Sequence, residues 1–212
     1  HVDLSQVREE YENRGLDEID LAHDPISQFK IWYAEVESSG YWEPNAMVLA
    51  TADLEGKPSA RNVLLKDIST SGFVFFTNYI SDKAMELDSN REATLVFSWT
   101  ELRRQVIVKG RAERVSDGKS DEYWFTRPRG SQLGAWASEQ SRIIPDRSYL
   151  EDAFVVQENR WNDSAIPRPQ NWGGYLVCPE EVEFWQGRSN RLHDRLKYSR
   201  TSNGWKTKRL SP

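Results

Sequence analysis

Between Asp24 and Gly40 the apolar side chains Ile26, Phe29, Trp32, Tyr33 and Val36 recur with a helical period. Asp24 suits an N-cap and Pro25 a first turn, so the pattern predicts a helix that lies on the core and ends near Gly40. The stretch before it is mostly charged, and Leu4 to Arg14 reads as a marginal helix stopped by Gly15. From Ala46 the period falls to that of strands. Ala46–Ala52 and Ser59–Ile68 flank Asp53-Leu54-Glu55-Gly56-Lys57, a glycine-containing hairpin connection. Phe73–Asn78, Ala93–Trp99 and Gln105–Val115 continue the series, rich in β-branched and aromatic residues.

Helices interrupt the strands. Ser81 caps one that is predicted to reach Leu87, a second runs from Asp117 to about Phe125, and a third from about Asp146 to Asn159. Thr126-Arg127-Pro128-Arg129-Gly130-Ser131 is broken by proline and glycine and reads as a basic loop, followed by Leu133–Ser141; Pro167 and Pro169 mark another loop. The last strands are predicted at Gly174–Val177, Val182–Gln186, Arg191–Ser199 and Trp205–Leu210. Short strands joined by tight turns predict an α+β, mainly β fold: an antiparallel barrel with peripheral helices.

Composition narrows the uses of such a fold. At 212 residues and 38% hydrophobic, the chain can bury a sizeable core and is expected to be one domain over 1–212. A formal net charge of −5 argues against nucleic-acid binding. Positive charge is local, at Arg127–Arg129 and from Arg188 to Arg200, which suits a small acidic ligand. The single cysteine, Cys178, excludes an intramolecular disulfide and a cysteine-based zinc cluster, and a reducing, cytoplasmic setting is expected. No apolar run approaches the roughly 20 residues that cross a bilayer, and no secretory signal is read. The three histidines are too scattered to suggest a metal site.

Candidate chemistry gathers in a few places. In an extended Arg191–Arg195 segment, Arg191, His193 and Arg195 would share one face: two fixed charges around a titratable ring, suited to an anion and to proton transfer. A solvated charged strand is the plain alternative. In Arg61–Lys66, Arg61, Val63 and Leu65 would face one way and Asn62, Leu64 and Lys66 the other. Lys83 sits in the first turn of its helix, where a cation opposes the helix dipole unless an anion is near. Gln105 could bond the polar edge of a heterocycle or a backbone group. Tyr123, Arg127 and Ser131 would suit a phosphate. No Walker or Rossmann glycine loop, Gly-x-Ser-x-Gly or His-Glu-x-x-His is present, so the chemistry is expected to belong to an organic cofactor.

The runs RNVLLK (61–66), FFTN (75–78), RRQV (103–106), YWFTRPRGSQLGAWASEQS (123–141), WGGY (172–175) and FWQGRSNRLHDR (184–195) closely resemble the pyridoxine (pyridoxamine) 5′-phosphate oxidase family. The likeness runs from REEY (8–11) to the terminal RLSP. It implies a homodimer of FMN-binding split barrels that oxidises pyridoxine or pyridoxamine 5′-phosphate to pyridoxal 5′-phosphate. Oxygen would be the acceptor, giving hydrogen peroxide, with ammonia from the amine. By that resemblance, Arg61, Asn62, Val63, Leu64, Leu65, Lys66, Phe76, Thr77, Lys83, Gln105, Gln140, Ser141, Trp185 and Arg195 contact FMN. Lys66, Tyr123, Arg127 and Ser131 hold the substrate phosphate, Arg191 and His193 lie beside the reacting carbon, and Arg8 to Tyr11 belong to a mobile N-terminal segment, about 1–22, that can close over the substrate. One departure stands out: Ser81-Asp82-Lys83 replaces the family's Ser-Arg-Lys, putting a carboxylate where a phosphate-binding arginine is usual. The alternatives are a related flavin oxidase acting on another ring, as in phenazine-forming relatives of this fold, which would keep the FMN residues and alter the phosphate clamp, and a flavin- or pyridoxal-phosphate-binding protein without turnover.

Overall fold

The computed structural model describes residues 14–212. Arg8, Tyr11 and the expected helix up to Asn13 lie outside the described residues. In chain order the elements are α1 (Pro25–Ser38), β1 (Ala46–Ala52), β2 (Pro58–Leu64), β3 (Asp67–Ser69), β4 (Gly72–Asn78), α2 (Asp82–Ser89), β5 (Glu92–Trp99), β6 (Arg104–Arg114), α3 (Asp117–Thr126), α4 (Arg129–Ala137), α5 (Arg147–Trp161), β7 (Trp172–Gln186), β8 (Asp194–Thr201) and β9 (Gly204–Leu210). The strands form one sheet in the order β2-β1-β5-β6-β7-β4-β3, with β8 pairing β7 and β9. The class is mainly β with helices added, as the pattern predicted.

The chain divides into two compact units. The first takes its described residues from the stretch up to Val48, Thr94–Gly110 and Pro179–Pro212. In it, the Asp24 carboxylate accepts the Ser27 N–H at 2.9 Å and starts α1. That helix buries Phe29, Trp32 and Val36, and its rings meet Phe97 (centroids 4.8 Å apart) and Phe184 (5.2 Å) edge-on. Strands β8 and β9 form an antiparallel ribbon from Arg195↔Leu210 to Thr201↔Gly204.

The second unit, Leu49–Ala93 and Arg111–Cys178, holds β2 to β4, α2 to α5 and the start of β7. Ser81 caps α2 by accepting the Ala84 N–H, and Asp146 caps α5 by accepting that of Tyr149. Strand β4 pairs with β7 in the register Phe76↔Gly174 and Thr77↔Gly173. A Cβ at Gly174 would stand 2.8 Å from both Phe76 and Val115, and one at Gly173 only 2.2 Å from the Tyr79 hydroxyl. These glycines let the neighbouring rings close onto the sheet.

Four expectations need correction. Ser59–Ile68 is not one strand: it ends at Leu64 and resumes as β3, with the Lys66 N–H bonded to Val74 O at 2.8 Å. The basic loop shrinks to Arg127-Pro128, because Pro128 precedes the first turn of α4 and its carbonyl accepts the Ser131 and Gln132 amides. Gly174–Val177 and Val182–Gln186 are parts of one strand, β7. The predicted Arg191–Ser199 strand begins only at Asp194, since Ser189–Arg191 is a 3₁₀ turn.

Candidate functional site

A cleft of about 860 Å³ opens in the second unit. Its lining includes Arg61, Asn62, Val63 and Leu64 from β2 with Lys66 just beyond, Phe76 and Thr77 from β4, and Asp82 and Lys83 from α2. Tyr123, Arg127 and Ser131 line it from α3, α4 and their connection, Gln140 and Ser141 follow α4, and Trp172 opens β7. The structure thus gathers in one cleft the side chains expected for the substrate phosphate and most of those expected for the cofactor. Leu65 is the exception on β2's flank: it is buried and does not line the cleft.

One wall is aromatic. Phe76 stacks on Tyr123 (4.1 Å) and on Trp172 (5.5 Å), and the Lys66 ammonium lies 6.0 Å from the Tyr123 centroid. Arg127 lies over Trp172 at 4.6 Å. Its Nη1 is buried without a hydrogen-bond partner, and burial lowers the guanidinium's pKa. A buried orphan donor on a cation is a ready partner for an anion.

At α2, Lys83 is only 7% exposed. Its Nζ meets the neutral acceptors Thr77 Oγ1 (3.3 Å) and Gln140 Oε1 (3.1 Å). Burial, then the charge on Arg61, pushes its pKa down. Arg61 is committed differently: it bonds Ser59 Oγ at 2.6 Å and pairs with Glu86 at 3.4 Å. Burial pushes the Glu86 carboxyl up, but hydrogen bonds from Thr51 and Ser59 and the Arg61 charge hold it below its usual value. Asp82 is exposed at the cleft wall, its N–H bonded to Ser141 Oγ at 3.2 Å. A planar phosphorylated ring system fits this donor set, with half-buried Arg127 and buried Lys83 as cations in want of anions and flat rings beside them. Sequence reasoning missed the Glu86 clasp on Arg61 and the part of Trp172 in the wall, although the WGGY run marked the latter.

Gln105, Trp185, Arg191, His193 and Arg195 belong to the first unit. Trp185 and His193 lie 4.8 Å apart, and His193 Nδ1 accepts the Arg188 N–H at 3.0 Å. Arg195 makes a two-pronged bond to Glu183, 3.0 Å on each side, which raises its pKa. Arg191, His193 and Arg195 do not share one strand face. Arg191 is exposed in the 3₁₀ turn, and only Arg195 lies on β8.

Residues 36–158 match the family model described as pyridoxamine 5′-phosphate oxidase, and residues 172–212 match the pyridoxine 5′-phosphate oxidase C-terminal dimerisation region. A Rubrobacter xylanophilus protein named pyridoxine/pyridoxamine 5′-phosphate oxidase is 53% identical over 210 residues, 99% of this chain and 97% of that one. A Salinispora arenicola protein of the same name is 52% identical, covering 100% and 97%. Among solved structures, PhzG from Burkholderia lata, in complex with tetrahydrophenazine-1-carboxylic acid, superposes with a TM-score of 0.87 at 34% identity, covering 92% of this chain and 95% of that one. A pyridoxamine 5′-phosphate oxidase-related, FMN-binding protein from Nostoc punctiforme shares the fold, with a TM-score of 0.71 at 17% identity over 91% of this chain and 100% of that one. The fold is the split barrel of these proteins.

Proposed function

The chain belongs to the pyridoxamine 5′-phosphate oxidase family, and from that premise we propose that it is an FMN-dependent oxidase of B6 vitamers. It would convert pyridoxine 5′-phosphate and oxygen to pyridoxal 5′-phosphate and hydrogen peroxide. From pyridoxamine 5′-phosphate, oxygen and water it would give the same products plus ammonia. The observation that carries the proposal is the cleft in which Lys66, Tyr123, Arg127 and Ser131 line one cavity with Lys83 and Gln140. We further propose a cytoplasmic homodimer with FMN between subunits, supported by the match of residues 172–212 to a dimerisation region.

In this proposal Lys83, Thr77, Gln140 and Ser141, with the β2 residues, hold FMN. When bound, FMN supplies the hydride acceptor. Lys66, Tyr123, Arg127 and Ser131 bind the substrate phosphate, and the Arg127 Nη1 donor gains the partner it lacks. Charge-assisted bonds contribute roughly 1.5–3 kcal/mol each, so a few suffice for micromolar binding after association costs. Arg191 orients the reacting substituent. His193 supports it by a hydrogen bond or holds a proton at Nε2, since its Nδ1 accepts the Arg188 amide.

The likeness to PhzG favours a second proposal, oxidation of a partly reduced phenazine acid. Four phosphate-suited side chains in the cleft speak for the phosphorylated vitamer instead. Purified protein reconstituted with FMN tests the choice: peroxide and pyridoxal 5′-phosphate formed in equal amounts support the oxidase. A yellow protein that makes neither would leave a flavin binder without turnover.

A further inference from the structure

The turn that carries Arg191 and His193 is strained. Asn190 and Arg191 both have positive φ, 56° and 59°, which side-chain-bearing residues adopt at a cost. One hydrogen bond, Leu192 N–H to Ser189 O at 3.1 Å, closes the 3₁₀ turn itself. Asp194 staples its ends. Asp194 Oδ2 accepts Arg188 Nη1 at 2.9 Å across the turn, while the Arg188 N–H donates to His193 Nδ1 at 3.0 Å. Arg188 therefore orients the imidazole with its main chain and is anchored by Asp194 through its side chain. A neutral imidazole whose Nδ1 accepts a hydrogen bond carries its proton on Nε2.

Asp194 is only 9% exposed, and it has further partners. Oδ2 also accepts the Leu16 N–H at 3.0 Å, and Oδ1 accepts Arg209 Nη1 at 2.7 Å. Burial opposes its ionisation, yet the bonds from Leu16, Arg188 and Arg209 hold its carboxyl below the usual range. The backbone passes so close that a Cβ at Gly15 would stand 1.7 Å from Arg188 Nη1 and 2.9 Å from Asp194 Oδ2. A side chain at position 15 would therefore displace the Arg188 guanidinium from the staple.

We infer that Asp194 is a positioning residue: through Arg188 it fixes the orientation and tautomer of His193, and it makes that setting depend on the docking of Leu16. Only its effect on turnover rests on the function proposed above.

The test uses the FMN-reconstituted protein, Asp194→Asn and Gly15→Ala. Gly15→Ala keeps every participating side chain, so it stands in if loss of the carboxylate prevents folding. The ¹⁵N signals of His193, assigned with His193→Gln, report the tautomer, and steady-state kinetics report turnover. The unmodified protein should show the Nε2-protonated form, and both variants should shift to a tautomer mixture. kcat should fall about 10- to 100-fold, because small misplacements are costly, while KM for the phosphorylated substrate changes less than about 3-fold. Native-like His193 signals in the folded variants would overturn the inference, whatever happens to the melting temperature. A tautomer shift without a kcat change would uphold the positioning and remove His193 from the reaction. If the unmodified protein oxidises neither vitamer, the proposed function fails while the ¹⁵N signals still decide this inference.

Discussion

Replacing Asp82 with arginine should tighten FMN binding and leave riboflavin, which lacks the phosphate, almost unaffected. Asp82 lines the cleft at the start of α2 beside buried Lys83, and Arg61 is clasped by Glu86. The formal charges of Arg61 and Lys83 (+2) and of Asp82 and Glu86 (−2) sum to zero. At this end of the cleft a phosphate therefore meets donors with little net positive charge, the other lining cations, Lys66 and Arg127, being those proposed for the substrate phosphate. At a separation of about 7 Å and an effective dielectric near 20, one repulsive charge pair is on the order of 2 kcal/mol. Asp82 is exposed, and water screening reduces this to about 1 kcal/mol. Asp82→Asn should then tighten FMN about 5-fold and Asp82→Arg about 30-fold. Flavin fluorescence quenching with FMN and riboflavin in parallel reads both constants, and the gain should shrink in high salt. An unchanged FMN constant would show that the carboxylate points away from the phosphate. An equal shift for riboflavin would show that the substitution acts through the fold.

Other outcomes follow from the same cleft. Arg127→Ala should raise KM for the phosphorylated vitamer about 10- to 100-fold and lower kcat much less in an oxygen-consumption assay, because it removes binding common to ground and transition states. Burial lowers the Lys83 pKa, so between the folded value and the ordinary lysine value the unfolded chain binds the extra proton and stability rises with pH. Lys83→Met should stabilise the flavin-free protein at neutral pH, flatten that alkaline rise in thermal melts, and weaken FMN about tenfold. Gly174→Ala would push a methyl to 2.8 Å from Phe76 and Val115. It should cost about 1–3 kcal/mol, seen as a lower melting temperature.

What the sequence disclosed was mostly local. Asp24 and Ser81 are caps whose effect is complete within one turn, and both were readable from residue type and spacing, whereas Asp146, read only as the approximate start of its helix, proves to be the cap. Strand β7 was not, because its continuity past Pro179 comes from distant partners: β4 up to Val177 and β8 from Glu181. Arg129-Gly130-Ser131 reads as a turn by composition, but Pro128 carbonyl bonds make it helix. The same limit applied at the site. Blocks of residues marked Lys66, Tyr123, Arg127 and Ser131, yet nothing in spacing could reveal that Glu86 clasps Arg61 or that Asp194 ties the His193 turn to Leu16. Such contacts join residues 25 and 178 positions apart.

The most direct measurement compares kcat/KM of the FMN-reconstituted protein for pyridoxine 5′-phosphate, unphosphorylated pyridoxine and a dihydrophenazine carboxylic acid. Recognition through Lys66, Tyr123, Arg127 and Ser131 predicts turnover of the phosphate ester, with the free alcohol slower by at least about 100-fold and the phenazine acid no better. Equal rates for the two pyridoxines, or turnover of the phenazine acid alone, would contradict a phosphate-selecting cleft.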